Sequence, residues 1–103
     1  MLLAICSVES DWRNVAKQDG PTYSYGVCQV KLATARWVSG NESIGEHDLM
    51  DPLFNLYIAS LYLQYQLDRY SGDVDRAISA YNAGHAVGWN KAYVQKVKRR
   101  IKR

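Results

Sequence analysis

Phenylalanine is nearly missing from this chain of 103 residues, which has one Phe against eight Tyr and three Trp. The aromatic set is therefore weighted toward rings with a polar tip. Such rings can stack on the flat apolar face of a pyranose while the phenol or indole donor reaches a hydroxyl, although any single one is by ordinary burial a core residue. No run approaches the ~18 apolar residues of a membrane helix, and Met1–Ile5 is too short for the apolar core of a secretory leader, so nothing in the chain exports it. There are no repeats, low-complexity tracts or linkers, and the length allows one domain spanning 1–103 with a modest core. His47 and His85 stand alone without ligand-like spacing, and Asp73 and Asp75 read as the cap and first-turn acid of a helix. No metal, phosphate or cofactor motif emerges, and no cofactor is expected. Cys6 and Cys28, the only cysteines, would pair if their helices pack together; two buried free thiols are the expectation from sequence.

Hydrophobic residues make up 48% of the chain and charged residues 22%, as in soluble globular proteins. The net charge of +3 is unevenly placed: six of the thirteen basic residues fall in 96–103, leaving seven basic against ten acidic residues before them. A basic C-terminal tail over 96–103 would bind an anionic polymer in a salt-dependent way, or simply place cations at the negative end of a last helix; nucleic acid is not the expected partner.

The periodicity predicts an all-α domain. Residues 1–11 read as a helix, 12–25 as a polar loop around Gly20-Pro21, and about 30–38 as a second helix. The stretch from Gly40 to Met50 is polar and Gly-containing, so it reads as loop. Asp51-Pro52 starts a helix running to about Tyr70, with Asp as N-cap and Pro at the first position. Apolar residues cover nearly every face of that helix, so it is expected to be the buried centre of the domain and scaffold only. Asp73 caps a further helix with Val74, Ile78 and Tyr81 on one face, stopped by Gly84. Asn90 caps the last helix, with Tyr93, Val94, Val97 and Ile101 on one stripe.

Three short strings carry chemistry: Glu9-Ser10 after the apolar run Leu2-Leu3-Ala4-Ile5, then Gly26-Val27-Cys28-Gln29, then Ala80-Tyr81-Asn82-Ala83-Gly84. Glu9 at the end of a buried helix would be partly desolvated, which raises a carboxylic acid's pKa and lets it serve as a general acid at neutral pH. In this order, and continued by Tyr93-Val94-Gln95-Lys96-Val97, the strings resemble family 1 lytic transglycosylases of the SLT type over about residues 5–101. Each string alone is weak; four in sequence are specific.

The resemblance implies a lysozyme-like helical domain with a glycan-binding cleft. It implies action on peptidoglycan strands, in the periplasm or cell wall, as a monomer. Glu9 is the implied catalytic residue, acting as acid and then as base. Substrate binding would fall to Ser10 (or Ser10 is only structural), Gln18, Tyr25, Gly26, Cys28, Gln29, Tyr81, Asn82 and Tyr93. Gly26 would let backbone approach the sugar, Gln29 would offer its amide, and Tyr81 would hydrogen-bond near Glu9 or the substrate acetamido group. Asn82 would fix the following loop, and Tyr93 is either a groove phenol or a core ring. Cys28 stands where the family usually has Met, and Gln18 where it often has a Ser that holds the acetamido group. Relatives usually have a further helix before the Glu helix, so a chain with eight residues before Glu9 is expected to be a trimmed piece of an exported protein or a minimal phage-type lysin. Two other readings stay open. A lysozyme-like hydrolase would need Asp11, Asp19, Asp48 or Asp51 to face Glu9 across the cleft. A wall-binding module without catalysis would have no need of a half-buried acid.

Overall fold

The structure is a computed structural model that describes residues 1–83 and 90–101. Its order is α1 (Leu2–Ser10), β1 (Ala16–Asp19), β2 (Thr22–Tyr25), β3 (Val30–Lys31), α2 (Leu32–Ser39), α3 (Glu46–Leu49), α4 (Pro52–Arg69), α5 (Val74–Ala83) and α6 (Lys91–Ile101). The expected Gly84 stop, His85, and the final Lys102 and Arg103 lie outside the described residues.

The helix starts follow local chemistry. Asp51 Oδ1 accepts from the backbone N–H groups of Leu53 and Phe54, with Pro52 at the position where no donor is lost. Asp73 Oδ1 accepts from the Arg76 N–H, and Asn90 Oδ1 from the Tyr93 N–H. In each case a side-chain oxygen satisfies an amide that the first helical turn leaves unpaired.

The all-α expectation needs correction. Residues 16–31 form a three-stranded antiparallel sheet in the order β1-β2-β3. Gly20-Pro21 closes the first hairpin, with Asp19 paired to Thr22 and Gly20 at φ 64; glycine at the first of two loop residues suits the twist of a tight hairpin. The strands escape pattern reading because they are two to four residues long and β1 is exposed at every position, so no apolar alternation marks them. The stretch read as loop over 40–50 also holds the short helix α3, which carries the exposed His47.

Helix α4 is central without being buried all round. It packs on α1, α2, α3, α5 and β3, yet Leu53 and Tyr57 are 78% and 57% exposed. Its buried face combines Ile58, Ala59 and Leu63 with two polar residues, Asn55 and Gln66. Val74 likewise lies outside the core, while Ile78 and Tyr81 of the same helix are buried. As far as residue 101, the basic segment expected as a tail is the second half of α6: Lys98 pairs with Asp75 of α5 at 2.9 Å, and Arg100 reaches Ser7 of α1 and Asp11 just beyond its end.

Cys6 and Cys28 are joined in a disulfide, with Cα atoms 4.2 Å apart across 22 positions. The free thiols expected from sequence are thereby corrected. The physical reason is the packing of α1 onto the 26–29 turn, which brings the two fully buried residues together. The same turn is fixed by Asn55, fully buried on α4. Its Nδ2 donates to the carbonyls of Tyr25 and Leu49, and its Oδ1 accepts from the Cys28 N–H at 2.9 Å. Gly26 has φ 78, and a Cβ added there would lie 2.6 Å from the Leu49 carbonyl oxygen and from Asn55 Cγ. The closeness that requires glycine is thus to the protein's own scaffold rather than to a sugar. Gly26→Ala is expected to lower stability by about 3 kcal/mol or more, from left-handed strain and overlap together. Urea unfolding measures it, and a loss under about 1 kcal/mol would refute this account of the turn.

Candidate active site

Glu9 stands in the last turn of α1, and the cleft it enters has two walls. Tyr81 and Asn82, at the end of α5, flank it on the helical side, while Asp19, Ser24 and Lys31 form the sheet side. Gln29, Val30, Thr34 of α2 and Tyr62 of α4 complete the lining. The sheet wall follows from strand parity. Lys17 pairs with Ser24 and Ser24 with Lys31, while Asp19 pairs with Thr22, so these residues share one face of the pleat and turn it to the cleft. Gln18 and Tyr25 have the opposite parity. Gln18 is exposed and donates to the Gly20 carbonyl, and Tyr25 is buried with its ring stacked on Tyr23. The structure does not bring either of these two expected site residues to Glu9.

The Glu9 carboxyl has a raised pKa, chiefly because burial strips its water. The Asp19 charge raises it further, whereas hydrogen bonds from Tyr93 and Asn82 and the Lys17 charge oppose the rise. The Tyr93 hydroxyl donates to Glu9 Oε2 at 2.6 Å, the short distance of a bond to an ionisable oxygen. Burial and the neighbouring Glu9 push the Tyr93 phenol far above its usual range, so it stays a donor at any working pH.

The phenol contact expected of Tyr81 is therefore made by Tyr93. Tyr81 lines the cleft, but its hydroxyl donates to the Cys28 carbonyl at 3.1 Å, and its buried phenol is held well above its usual range by burial first and by Glu9 second. Other expected contacts also turn inward. Ser10 is buried and donates to the Val27 carbonyl at 2.6 Å. The Cys28 side chain is consumed by the disulfide. Both amide protons of Gln29 are taken, by the carbonyls of Val15 and Gly26 at 2.9 Å each, leaving the amide oxygen as the group it can offer. Asn82 accepts from Asn90 and lines the cleft with Glu9, whose pKa it lowers as a hydrogen-bonding neighbour.

Several cleft residues were not singled out from sequence. Ser24 and Lys31 required the strand parity, and their strands are too short to announce it; Asp19 stood out only as one of four aspartates that a hydrolase would need. Tyr62 was hidden in a helix read as scaffold, and Thr34 carried no motif. Asn90 was visible only as a cap. Among the described residues no group of three or more His, Cys, Asp or Glu side chains is arranged to hold a metal ion.

A family model of the transglycosylase SLT domain matches residues 1–102. With nearly the whole chain matched, the protein belongs to the SLT transglycosylase family, whose members act on cell-wall peptidoglycan and share a lysozyme-like domain. No solved structure matches the chain significantly. No described helix is long and apolar enough to cross a membrane.

The two tyrosines are separable by experiment. Tyr93→Phe removes a hydrogen bond to an ionisable group, worth roughly 1.5–3 kcal/mol, and should cut glycan cleavage about tenfold or more with little change in melting temperature. Tyr81→Phe leaves the buried Cys28 carbonyl without its partner and should cost about 1–3 kcal/mol of stability instead. Thermal unfolding alongside turnover well below the melting temperature reads both, and a reversal of the two phenotypes would reject the assignment.

Proposed function

We propose that this protein is a lytic transglycosylase that cleaves the β-1,4 bond between N-acetylmuramic acid and N-acetylglucosamine and leaves a 1,6-anhydromuramyl end. The observation that carries the reading is the desolvated Glu9 carboxyl, hydrogen-bonded by Tyr93 at 2.6 Å and open to a cleft. Tyr93 donates to Oε2, so the transferable proton belongs on Oε1. That proton passes to the glycosidic oxygen as the bond to the anomeric carbon breaks, while the substrate's acetamido oxygen steadies that carbon. Glu9, now a carboxylate, is stabilised by the donors Tyr93 and Asn82. It then takes the proton from the muramyl 6-hydroxyl, whose oxygen closes on the anomeric carbon, and no water is consumed. One residue thus serves as acid and then base. The exposed basic residues of α6, among them Lys96 and Arg99, suit contact with anionic wall polymer.

A muramidase reading has one specific observation in its favour. Of the four aspartates that could supply a second carboxylate, Asp19 lines the Glu9 cleft. Its side chain is largely exposed and paired with Lys31 at 3.5 Å, so a second carboxylate shares the cleft with Glu9, as a hydrolytic pair requires. The family membership favours the transglycosylase.

Product chemistry decides between them. Digested sacculi should give muropeptides with anhydro ends, one water lighter than reducing ends by mass spectrometry, and Asp19→Asn should leave that product type unchanged. Predominantly reducing ends, lost in Asp19→Asn, would establish the hydrolase. In either case Glu9→Gln should remove cleavage by 10²–10⁴-fold or more while the fold persists; retention of more than about a tenth of the activity would exclude Glu9 as the acid.

A further inference from the structure

The Glu9 carboxyl is flanked from two different helices: Tyr93, in the first turn of α6, hydrogen-bonds to it, and Asn82, at the end of α5, lines the same cleft and opposes the rise in its pKa as a hydrogen-bonding neighbour. A single residue touches both supports. Asn90 Nδ2 donates to Asn82 Oδ1 at 2.8 Å, and Asn90 Oδ1 accepts from the Tyr93 backbone N–H at 3.1 Å. Its own N–H donates to the buried Ser79 Oγ at 2.8 Å, which ties it to α5 as well.

The polarity of this chain matters. An asparagine amide can present either its oxygen or its nitrogen, and the two orientations have opposite meaning for a carboxylate. Because Asn90 presents a donor to Asn82 Oδ1, the Asn82 oxygen is occupied and its NH₂ is the end left for Glu9. Asn90 is the group whose own orientation is fixed independently, since its oxygen is committed to the N-cap of α6. A cap alone would be served by Ser, Thr or Asp equally well; an Asp carboxylate has no donor for Asn82, and the shorter Ser or Thr would have to accept from the helix and donate to Asn82 from one oxygen, whereas the carboxamide divides the two tasks between two atoms.

We infer that Asn90 is a positioning residue for the acid. It orients the Asn82 amide so that its NH₂ faces Glu9, while the cap it makes sets the start of the helix that carries Tyr93. The inference rests on Glu9 acting as the general acid. Donation from Asn82 favours the carboxylate that remains once Glu9 has given up its proton, so an unoriented Asn82 weakens Glu9 as an acid and leaves its charged form less stabilised. The other charged or titratable groups that bear on Glu9 are Tyr81 of α5, Tyr93 of α6, and Asp19 and Lys17 of β1, and none of them changes in the variants below.

The test is Asn90→Ser, which retains a capping oxygen but cannot reach Asn82, compared with Asn82→Ala and the double variant. Cleavage of purified glycan strands is followed against pH, with melting temperature as the control for folding. Asn90→Ser should keep a near wild-type melting temperature and lose about tenfold in kcat. Activity that depends on protonated Glu9 falls as pH rises through its pKa, and loss of a donor to the carboxylate raises that pKa. The high-pH limb should therefore move upward. Asn82→Ala should reproduce both changes, and adding Asn90→Ser to it should change neither further, the non-additivity of two residues acting in one chain. An unmoved limb, or effects of the two substitutions that simply add, would overturn the inference and leave Asn90 as a helix cap. If wild-type protein shows no glycan cleavage, or Glu9→Gln cleaves normally, the general-acid reading fails first, and this role for Asn90 falls with it.

Discussion

One buried carboxamide holds the centre of this fold in register. Asn55 satisfies two carbonyls and one amide of irregular backbone, from the end of β2, the end of α3 and the 26–29 turn. Each of these groups would cost on the order of 1–3 kcal/mol if left buried and unpaired. Around this anchor the turn gains an attachment from each neighbouring helix: the Ser10 hydroxyl and Cys6 sulfur from α1, and the Tyr81 hydroxyl from α5. Gly26 is needed on two counts, its left-handed φ of 78 and the lack of room for a side chain.

The consequence for chemistry is a division between groups that build the cleft and groups that meet the substrate. Motif residues near the turn mostly build: Ser10, Gly26, Cys28 and Tyr81 direct their polar or reactive atoms into backbone, sulfur or packing. Charge and hydrogen bonding toward Glu9 come from elsewhere, from Tyr93 and Asn82 on the helices and from Lys17 and Asp19 on the sheet. Loss of water thus favours the neutral carboxyl, while donors near it can receive its negative form. On the proposed mechanism, an acid that becomes a base within one turnover needs both conditions.

The helices were legible because their signals are local. Asp51-Pro52, Asp73 and Asn90 mark starts through bonds that span two or three residues, and the ends of α4 fall where the pattern places them. The sheet was not, since β1 is exposed throughout and β3 has two residues; pairing, not periodicity, makes them strands. That omission explains the misplacement of Gln18 and Tyr25, because only the register reveals which alternate residues face Glu9. The choice between Tyr81 and Tyr93 was beyond sequence for a related reason. Both sit at helix ends with inward stripes, and which phenol meets the acid depends on how α5 and α6 cross α1. The disulfide likewise depends on tertiary approach across 22 positions.

That covalent link joins two segments whose neighbours are Glu9, three residues beyond Cys6, and Gln29, adjacent to Cys28. A bond of this kind persists where oxidants maintain it and is lost where glutathione and thioredoxin keep thiols reduced. The helix that carries Glu9 and the turn that carries Gln29 are therefore stapled together only where the surroundings are oxidising. Inside a reducing cytosol the same chain would lack the staple, and the approach of the two segments would rest on the Ser10 and Asn55 hydrogen bonds.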